Sequence, residues 1–228
     1  HKEYRRQRQM CIRDRPSLAI AIPSLIVGLL LNITLSLFIT FFRATNIDRL
    51  GLFLCVMLMS ISSLFYIIAG QYMISKLFHL VPISGYDYGS DSIKFLILPV
   101  IISVIYGIGS GTRRYRTLFI EEVEKEYIKT ARSKGLSEAS IMMNHVLRNA
   151  LIPILTGVVV LLPLLFLGSL IVESFFGIPG LGSYTIDAIQ RQDFALVRSM
   201  VFLGTVLYII GLILTDISYT IVDPRVRL

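Results

Sequence analysis

The chain has 228 residues, 54% of them apolar and only 16% charged, where soluble domains carry about 25% charged residues. Its mean hydropathy of +0.72 is more than a water-soluble globule can hide, which excludes a disordered chain and argues against an independent soluble enzyme. The 22 Lys and Arg against 15 Asp and Glu give a net charge of +7, read here as basic cytoplasmic loops of a membrane protein and not as a nucleic-acid surface. Cys11 and Cys55 build neither a disulfide framework nor a zinc site.

In chain order, residues 1–16 form a basic head with Lys2, Arg5, Arg6, Arg8, Arg13 and Arg15. Five apolar stretches follow, at about 17–42, 50–75, 95–110, 150–172 and 196–222. They approach or exceed the roughly 20 residues that cross a bilayer core. The expected fold is therefore an all-α polytopic bundle of about five transmembrane helices, occupying 17–228. The third stretch is the shortest, ends in Gly107, Gly109 and Gly111, and spans only if its helix continues into the polar segment behind it. Those glycines read as a loosened helix end.

Orientation follows from Lys and Arg. The segment 111–149 carries Arg113, Arg114, Arg116, Lys125, Lys129, Arg132, Lys134 and Arg148, and the tail adds Arg225 and Arg227. Placing both in the cytoplasm puts loop 43–49 there too, with twelve basic residues inside and four outside, Lys76, Lys94, Arg191 and Arg198. That asymmetry makes the C-terminus cytoplasmic. The head opposes it, because the same parity leaves its six basic residues outside. A non-native or misassembled head on a chain lacking its first span is the expectation.

The cytoplasmic segment holds the strongest pattern. Phe119, Val123, Tyr127 and Ala131 stack four apart, which predicts one helix over 118–133, with Glu121 and Lys125 set for an i,i+4 pair. Gly135 marks a left-handed helix end, and Ser137 is placed to N-cap a second helix. Along that helix Ala139, Met142, Met143, Val146, Leu147, Ala150 and Leu151 form one apolar face. A hairpin lying on lipid is the plain alternative. Lipid-bound helices carry a basic polar face, whereas the mixed charges here suit docking on protein. Tyr127 beside Ala131 then supplies an apolar ridge for a partner's groove.

Other residues invite reading. Asp216 is an acid inside the fifth stretch, a functional candidate by position, set against simple hydration near the interface or an arginine partner. His145 has no companion ligands, and no Gly-x-x-x-x-Gly-Lys-Ser/Thr phosphate loop occurs. Gly157, Gly168, Ser169, Gly204 and Gly211 permit close helix approach, and Pro163 permits a kink.

Three blocks in order carry a family likeness. Glu126-Tyr127-Ile128-Lys129-Thr130-Ala131-Arg132-Ser133-Lys134-Gly135-Leu136-Ser137, followed by His145-Val146-Leu147-Arg148-Asn149-Ala150-Leu151-Ile152-Pro153-Ile154, resembles the cytoplasmic loop of ABC transporter permeases of the binding-protein-dependent import type. More narrowly it resembles the dipeptide, oligopeptide and nickel branch. Glu173-Ser174-Phe175-Phe176-Gly177-Ile178-Pro179-Gly180-Leu181-Gly182, with Ala188 and Asp193, is similar to that branch's outer loop, and Asp223-Pro224-Arg225 to its C-terminus. The chain departs from the family at Lys129-Thr130-Ala131, where many members have Glu-Ala-Ala, so no role of that glutamate passes to Lys129.

The resemblance implies a transmembrane permease subunit in a bacterial inner membrane, importing di- or oligopeptides, with nickel as the alternative cargo. It implies no cofactor in this chain, ATP and Mg being bound by partner ATPase subunits. Expected partners are a second permease subunit, two cytosolic ABC ATPase subunits, an extracytoplasmic solute-binding protein and the bilayer, with no nucleic acid. Tyr127, Ala131, Arg132 and Gly135 become the ATPase-coupling residues. Glu173, Pro179, Gly180, Gly182 and Asp193 become the outer-loop residues, with Glu173 expected to cap that loop. The rivals are a gradient-driven carrier, for which Asp216 is the sole support, and a membrane-embedded enzyme, which His1, His79 and His145 are too scattered to serve.

Overall fold

The computed structural model describes residues 2–87 and 92–222, with side chains from 15–87 and 92–218. All regular structure among them is helical. The helices are α1 (Lys2–Phe41), α2 (Asn46–Ser60), α3 (Ser63–Gly70), α4 (Ser92–Val123), α5 (Glu126–Ser133), α6 (Glu138–Ile141), α7 (Arg148–Leu164), α8 (Leu170–Phe176), α9 (Leu181–Gln190) and α10 (Phe194–Val222). Four stretches are long and apolar enough to cross a bilayer, Arg15–Phe41, Ser92–Val123, Glu138–Leu167 and Phe194–Ser218, and a broken pair, Asn46–Ser60 with Ser63–Leu77, makes up to five when it counts as one span. The basic head runs into α1, which starts at Lys2. The Asp223-Pro224-Arg225 block lies outside the described residues.

Hydropathy alone misses several breaks. The stretch 50–75 is not one helix, because Ile61 (φ −89°, ψ 132°) and Ser62 (φ −62°, ψ 143°) are extended between α2 and α3. α3 then widens into a π-helical turn over Gln71–Leu77. The stretch 150–172 stops at Leu167, since Gly168 adopts φ +67° and α8 restarts beyond it. Conversely, the short third stretch continues unbroken to Val123. Gly109 and Gly111 do not loosen it. They let neighbours approach: a Cβ at Gly109 would lie 2.7 Å from the Cys55 carbonyl oxygen, and one at Gly111 2.6 Å from the Asn32 side-chain carbon.

The chain divides into two compact units, one of His1–Leu25, Ser62–Val104 and Val159–Leu228, the other of Ile26–Ile61 and Ile105–Val158. In the first, Ile20, Ile67, Leu98, Ile102, Phe176 and Ile178 are buried together. In the second, the core joins Phe119 and Val123 of α4, Ile128 and Ala131 of α5, and Ile141, Met142, Val146, Ala150 and Ile154 farther on. Leu29, Ile33 and Leu37 of α1 pack against it. Each large apolar side chain buried there contributes about 1.5–3 kcal/mol.

The second unit corrects two sequence expectations. The predicted 118–133 helix is two helices. α4 keeps Phe119 and Val123, Lys125 is extended (φ −67°, ψ 149°), and α5 carries Tyr127 and Ala131. The four-residue spacing survives the break because both helices turn toward one core. Lys125 consequently pairs with Glu122 at 2.6 Å, not with Glu121. The second face is also rotated. A π-helical turn over Met142–Leu147 joins α6 to α7, and its wider turn favours Ile141 while leaving Ala139 exposed and Met143 58% exposed.

Candidate functional site

The loop 111–149 of the second unit builds upward from its two turns. α5 ends as the sequence predicts. Gly135 sits at φ +80°, its N–H donates to the Arg132 carbonyl at 2.9 Å, and the Leu136 N–H donates to the Ala131 carbonyl at 3.4 Å. That pair of bonds satisfies carbonyls a helix end otherwise leaves open. Ser137 then caps α6, its hydroxyl oxygen accepting from the Ser140 N–H at 3.4 Å. Across the turn the Arg132 guanidinium binds the Glu138 carboxylate twice, at 2.6 and 3.3 Å.

Of the residues expected to couple, Gly135 and Arg132 shape this turn, whereas Ala131 is 6% exposed and faces the unit's own core. Tyr127 is half-buried. The apolar ridge expected at Tyr127 and Ala131 is therefore turned inward, because Ile128, fully buried between them, sets which face of α5 meets the core. The outward face is polar: Glu126, Lys129, Thr130, Ser133 and Lys134 are exposed. Glu126 and Lys129 pair at 2.7 Å, an exposed contact of little energetic weight. Beside α5 lies a cleft of about 490 Å³ lined by Arg43, Ile120, Val123, Glu124, Lys129 and Arg132.

Sequence reasoning misses the buried polar groups that hold this loop. Glu122 is 7% exposed and accepts from Lys125 Nζ at 2.6 Å and from the Tyr127 hydroxyl. That hydroxyl accepts in turn from Asn149 Nδ2 at 2.8 Å. Burial, and then the bond to Glu122, pushes the Tyr127 phenol from its ordinary 10.0 up to about 12. It therefore stays a donor at any physiological pH. Nearby, the Arg116 guanidinium grips Asp48 through Nε at 2.9 Å and Nη2 at 2.8 Å, a two-pronged geometry that fixes orientation as well as charge. Asp48 also accepts from the Ala44 N–H at 3.2 Å, so it ties the loop after α1 to α4. Thr112 donates to Asn32 Oδ1 at 3.0 Å.

The expected outer-loop residues fall in the first unit, where one carboxylate organises two helix starts. Ser169 caps α8, accepting from the Val172 N–H at 3.3 Å, while Glu173 Oε1 accepts from the Ser169 N–H at 3.1 Å. This is the reciprocal logic of a capping box, displaced by one residue. Glu173 Oε2 reaches the start of α9, accepting from the Ser183 N–H at 3.1 Å, and the Gly182 N–H and the Ser17 hydroxyl bond the same carboxylate. Ser17 also accepts from the Leu181 N–H at 3.0 Å. The first three N–H groups of α9 are thus satisfied by two side chains. Glu173 is 1% exposed, and burial raises its pKa despite these donors.

Glycine is required around it for space. A Cβ at Gly168 or Gly180 would overlap the Glu173 carboxylate, and one at Gly182 would lie 2.7 Å from the Ser169 carbonyl. Pro179 is the middle of a tight turn in which the Gly180 N–H donates to the Ile178 carbonyl at 2.8 Å. Asp193 caps α10, accepting from the Leu196 N–H at 3.2 Å.

Residues 16–228 match the family described as "Binding-protein-dependent transport system inner membrane component". The chain is 36% identical over 214 residues to a Brucella abortus protein whose name describes a peptide transport system permease, an alignment covering 92% of this chain and 66% of that protein. It is 38% identical over 150 residues to a dipeptide transport system permease protein of Lactococcus lactis, covering 66% of this chain and 48% of the relative. It is 36% identical over 137 residues to an oligopeptide transport system permease protein of Bacillus subtilis, covering 60% and 43%. The chain therefore spans less than two thirds of the length of these relatives.

Proposed function

The chain belongs to the family of binding-protein-dependent transport system inner membrane components, and on that premise we propose that it is a transmembrane permease subunit of an ATP-driven importer. It is a transport subunit that leaves ATP and Mg to partner ATPases. The names of its relatives describe peptide, dipeptide and oligopeptide transport, which supports di- or oligopeptides as its cargo. Its partners are a second permease subunit, two cytosolic ATPase subunits and an extracytoplasmic solute-binding protein. It resides in a bacterial inner membrane, and twelve basic residues against four support a cytoplasmic C-terminus.

The observation that carries this reading is the α5–Gly135–α6 hairpin. It has a buried core of its own and a polar outward face. A short helix so mounted moves as a rigid element and converts a partner's closure into displacement of the helices beneath it. Contact with the ATPase is assigned to Lys129, Thr130 and Ser133. Tyr127, Ala131, Arg132 and Gly135 hold the hairpin in shape. Glu173, Pro179, Gly180, Gly182 and Asp193 shape the outer-facing module that receives cargo from the binding protein.

The test is crosslinking from single cysteines at Lys129 or Ser133, with Cys11 and Cys55 replaced, in membranes containing every subunit. Adducts with an ATPase subunit, changing in yield when ATP is added, are the expected result. Adducts formed only within the chain or with lipid would overturn the assignment and favour a gradient-driven carrier.

A further inference from the structure

α5 is only 8 residues long and is cut from its neighbours on both sides, by extended Lys125 and by left-handed Gly135. Apolar burial of Ile128 and Ala131 holds it down, but such contacts have no fixed direction and allow a short helix to slide or roll. The directional contacts are few. Lys129 spends its ion pair within α5 itself, and Arg132 binds Glu138 across the turn. That contact reaches only the first turn of the Glu138–Leu167 stretch; the link from α5 to α4, and to the start of α7, runs through Tyr127. Its hydroxyl donates to Glu122, in the last turn of α4, and accepts from Asn149 Nδ2, in the first turn of α7, at 2.8 Å. Lys125 holds the other oxygen of Glu122 at 2.6 Å, which leaves the carboxylate no freedom to swing away.

We propose that the Tyr127 hydroxyl is a joint that makes α5, the end of α4 and the start of α7 one rigid body, so that a push on α5 reaches both long helices together. Tyr127 is a positioning residue, acting through Glu122 and Asn149. The inference rests on the reading of α5 as the surface an ATPase engages. The physical reason for a hydroxyl is that it donates and accepts at once, so one atom closes two bonds in different directions. Hydrogen bonds weaken steeply when stretched or bent, so displacing α5 from either helix breaks at least one of them. Phenylalanine would keep the ring and its packing and lose the joint.

The experiment uses the full chain assembled with its ATPase subunits, Cys11 and Cys55 replaced, and spin labels on the exposed positions Glu126 of α5, which lies outside the assigned ATPase contact, and Ile152 of α7. Pulsed electron resonance reads the distance between them with and without ATP. With Tyr127 intact, a single distance unchanged by ATP is expected. In Tyr127→Phe, loss of a charge-assisted hydrogen bond should shift the population toward a detached α5 by about tenfold, seen as a second distance that grows with ATP. ATPase binding to the assembly should persist. Asn149→Ala removes only one bond and should give the same second distance at lower amplitude, which keeps the test alive if Tyr127→Phe folds poorly. A distance that changes with ATP in the parent protein, or stays single in both variants, overturns the joint alone. Failure of the parent chain to bind ATPase subunits at all overturns the underlying reading, and the joint with it.

Discussion

Glu173→Ala is expected to lower the stability of the module built on α8 and α9 by about 2–4 kcal/mol, since it strips partners from one buried and two partly buried N–H groups, a fully buried one costing about 1–3 kcal/mol when left unsatisfied and the others less. The N–H groups concerned belong to Ser169, Gly182 and Ser183, and the Ser17 hydroxyl loses its acceptor as well. Alanine also leaves a void where Gly168, Gly180 and Gly182 have made room for the carboxylate. Glu173→Gln keeps one acceptor oxygen but points amide hydrogens at N–H donors, so an intermediate loss is expected. The measurement is thermal unfolding of the full chain in detergent. An unchanged midpoint in Glu173→Ala would show that the two caps are dispensable.

The same residue carries a pH signature whose sign is fixed by burial. Its folded pKa is raised above the ordinary 4.5, so the folded module binds a proton more tightly than the unfolded chain does. The stability from this group is fully present below 4.5 and is lost as pH rises through the raised folded value. Above that value the profile flattens. Glu173→Gln, which does not titrate, should abolish that slope and no other part of the curve.

What the sequence discloses and what it withholds divide along physical lines. Gly135 and Ser137 are legible because helix ends are local events: a left-handed residue and a capping oxygen act within three or four positions of themselves. Length and hydropathy reveal where the spans lie, each being an apolar run, but not the breaks at Ile61–Ser62 and Gly168, which leave the run intact. The break at Lys125 is hidden because Phe119, Val123, Tyr127 and Ala131 keep their four-residue spacing straight through it. The π-helical turn at Met142–Leu147 is hidden because an extra residue in one turn alters no composition, yet it decides that Ile141 is buried and Met143 is not. The polar contacts are the least legible. Tyr127 and Asn149 lie 22 residues apart, Asp48 and Arg116 68, and Asn32 and Thr112 80. No periodicity links partners at such separations, and only the fold brings them together. Glu173 lies between these cases. Its place as a cap could be read from the helix start beside it, whereas its reach to α9 and Ser17 could not.

Gly135→Val is expected to cost about 2–3 kcal/mol, because a left-handed backbone burdens an ordinary residue by about 1–2 kcal/mol and a β-branched one by more. The cost is conformational and not steric. Nothing lies within 4 Å of a Cβ added at Gly135, while the backbone itself sits at φ +80°. This separates two mutations that a space-filling argument would treat alike. Asparagine tolerates the left-handed region, so Gly135→Asn should retain most of the stability and the hairpin geometry. Valine should push the residue out of that region and break the bonds from Gly135 N–H to Arg132 and from Leu136 N–H to Ala131. With them goes the register that lets Arg132 meet Glu138 across the turn. The α5 surface would then no longer be presented at a fixed angle. In the full assembly, Gly135→Val should lose the ATP-dependent crosslinks from Ser133 to the ATPase, while Gly135→Asn keeps them. Equal crosslinking in both variants would mean that the left-handed turn is incidental, and that α5 alone, however it is held, suffices to engage the partner.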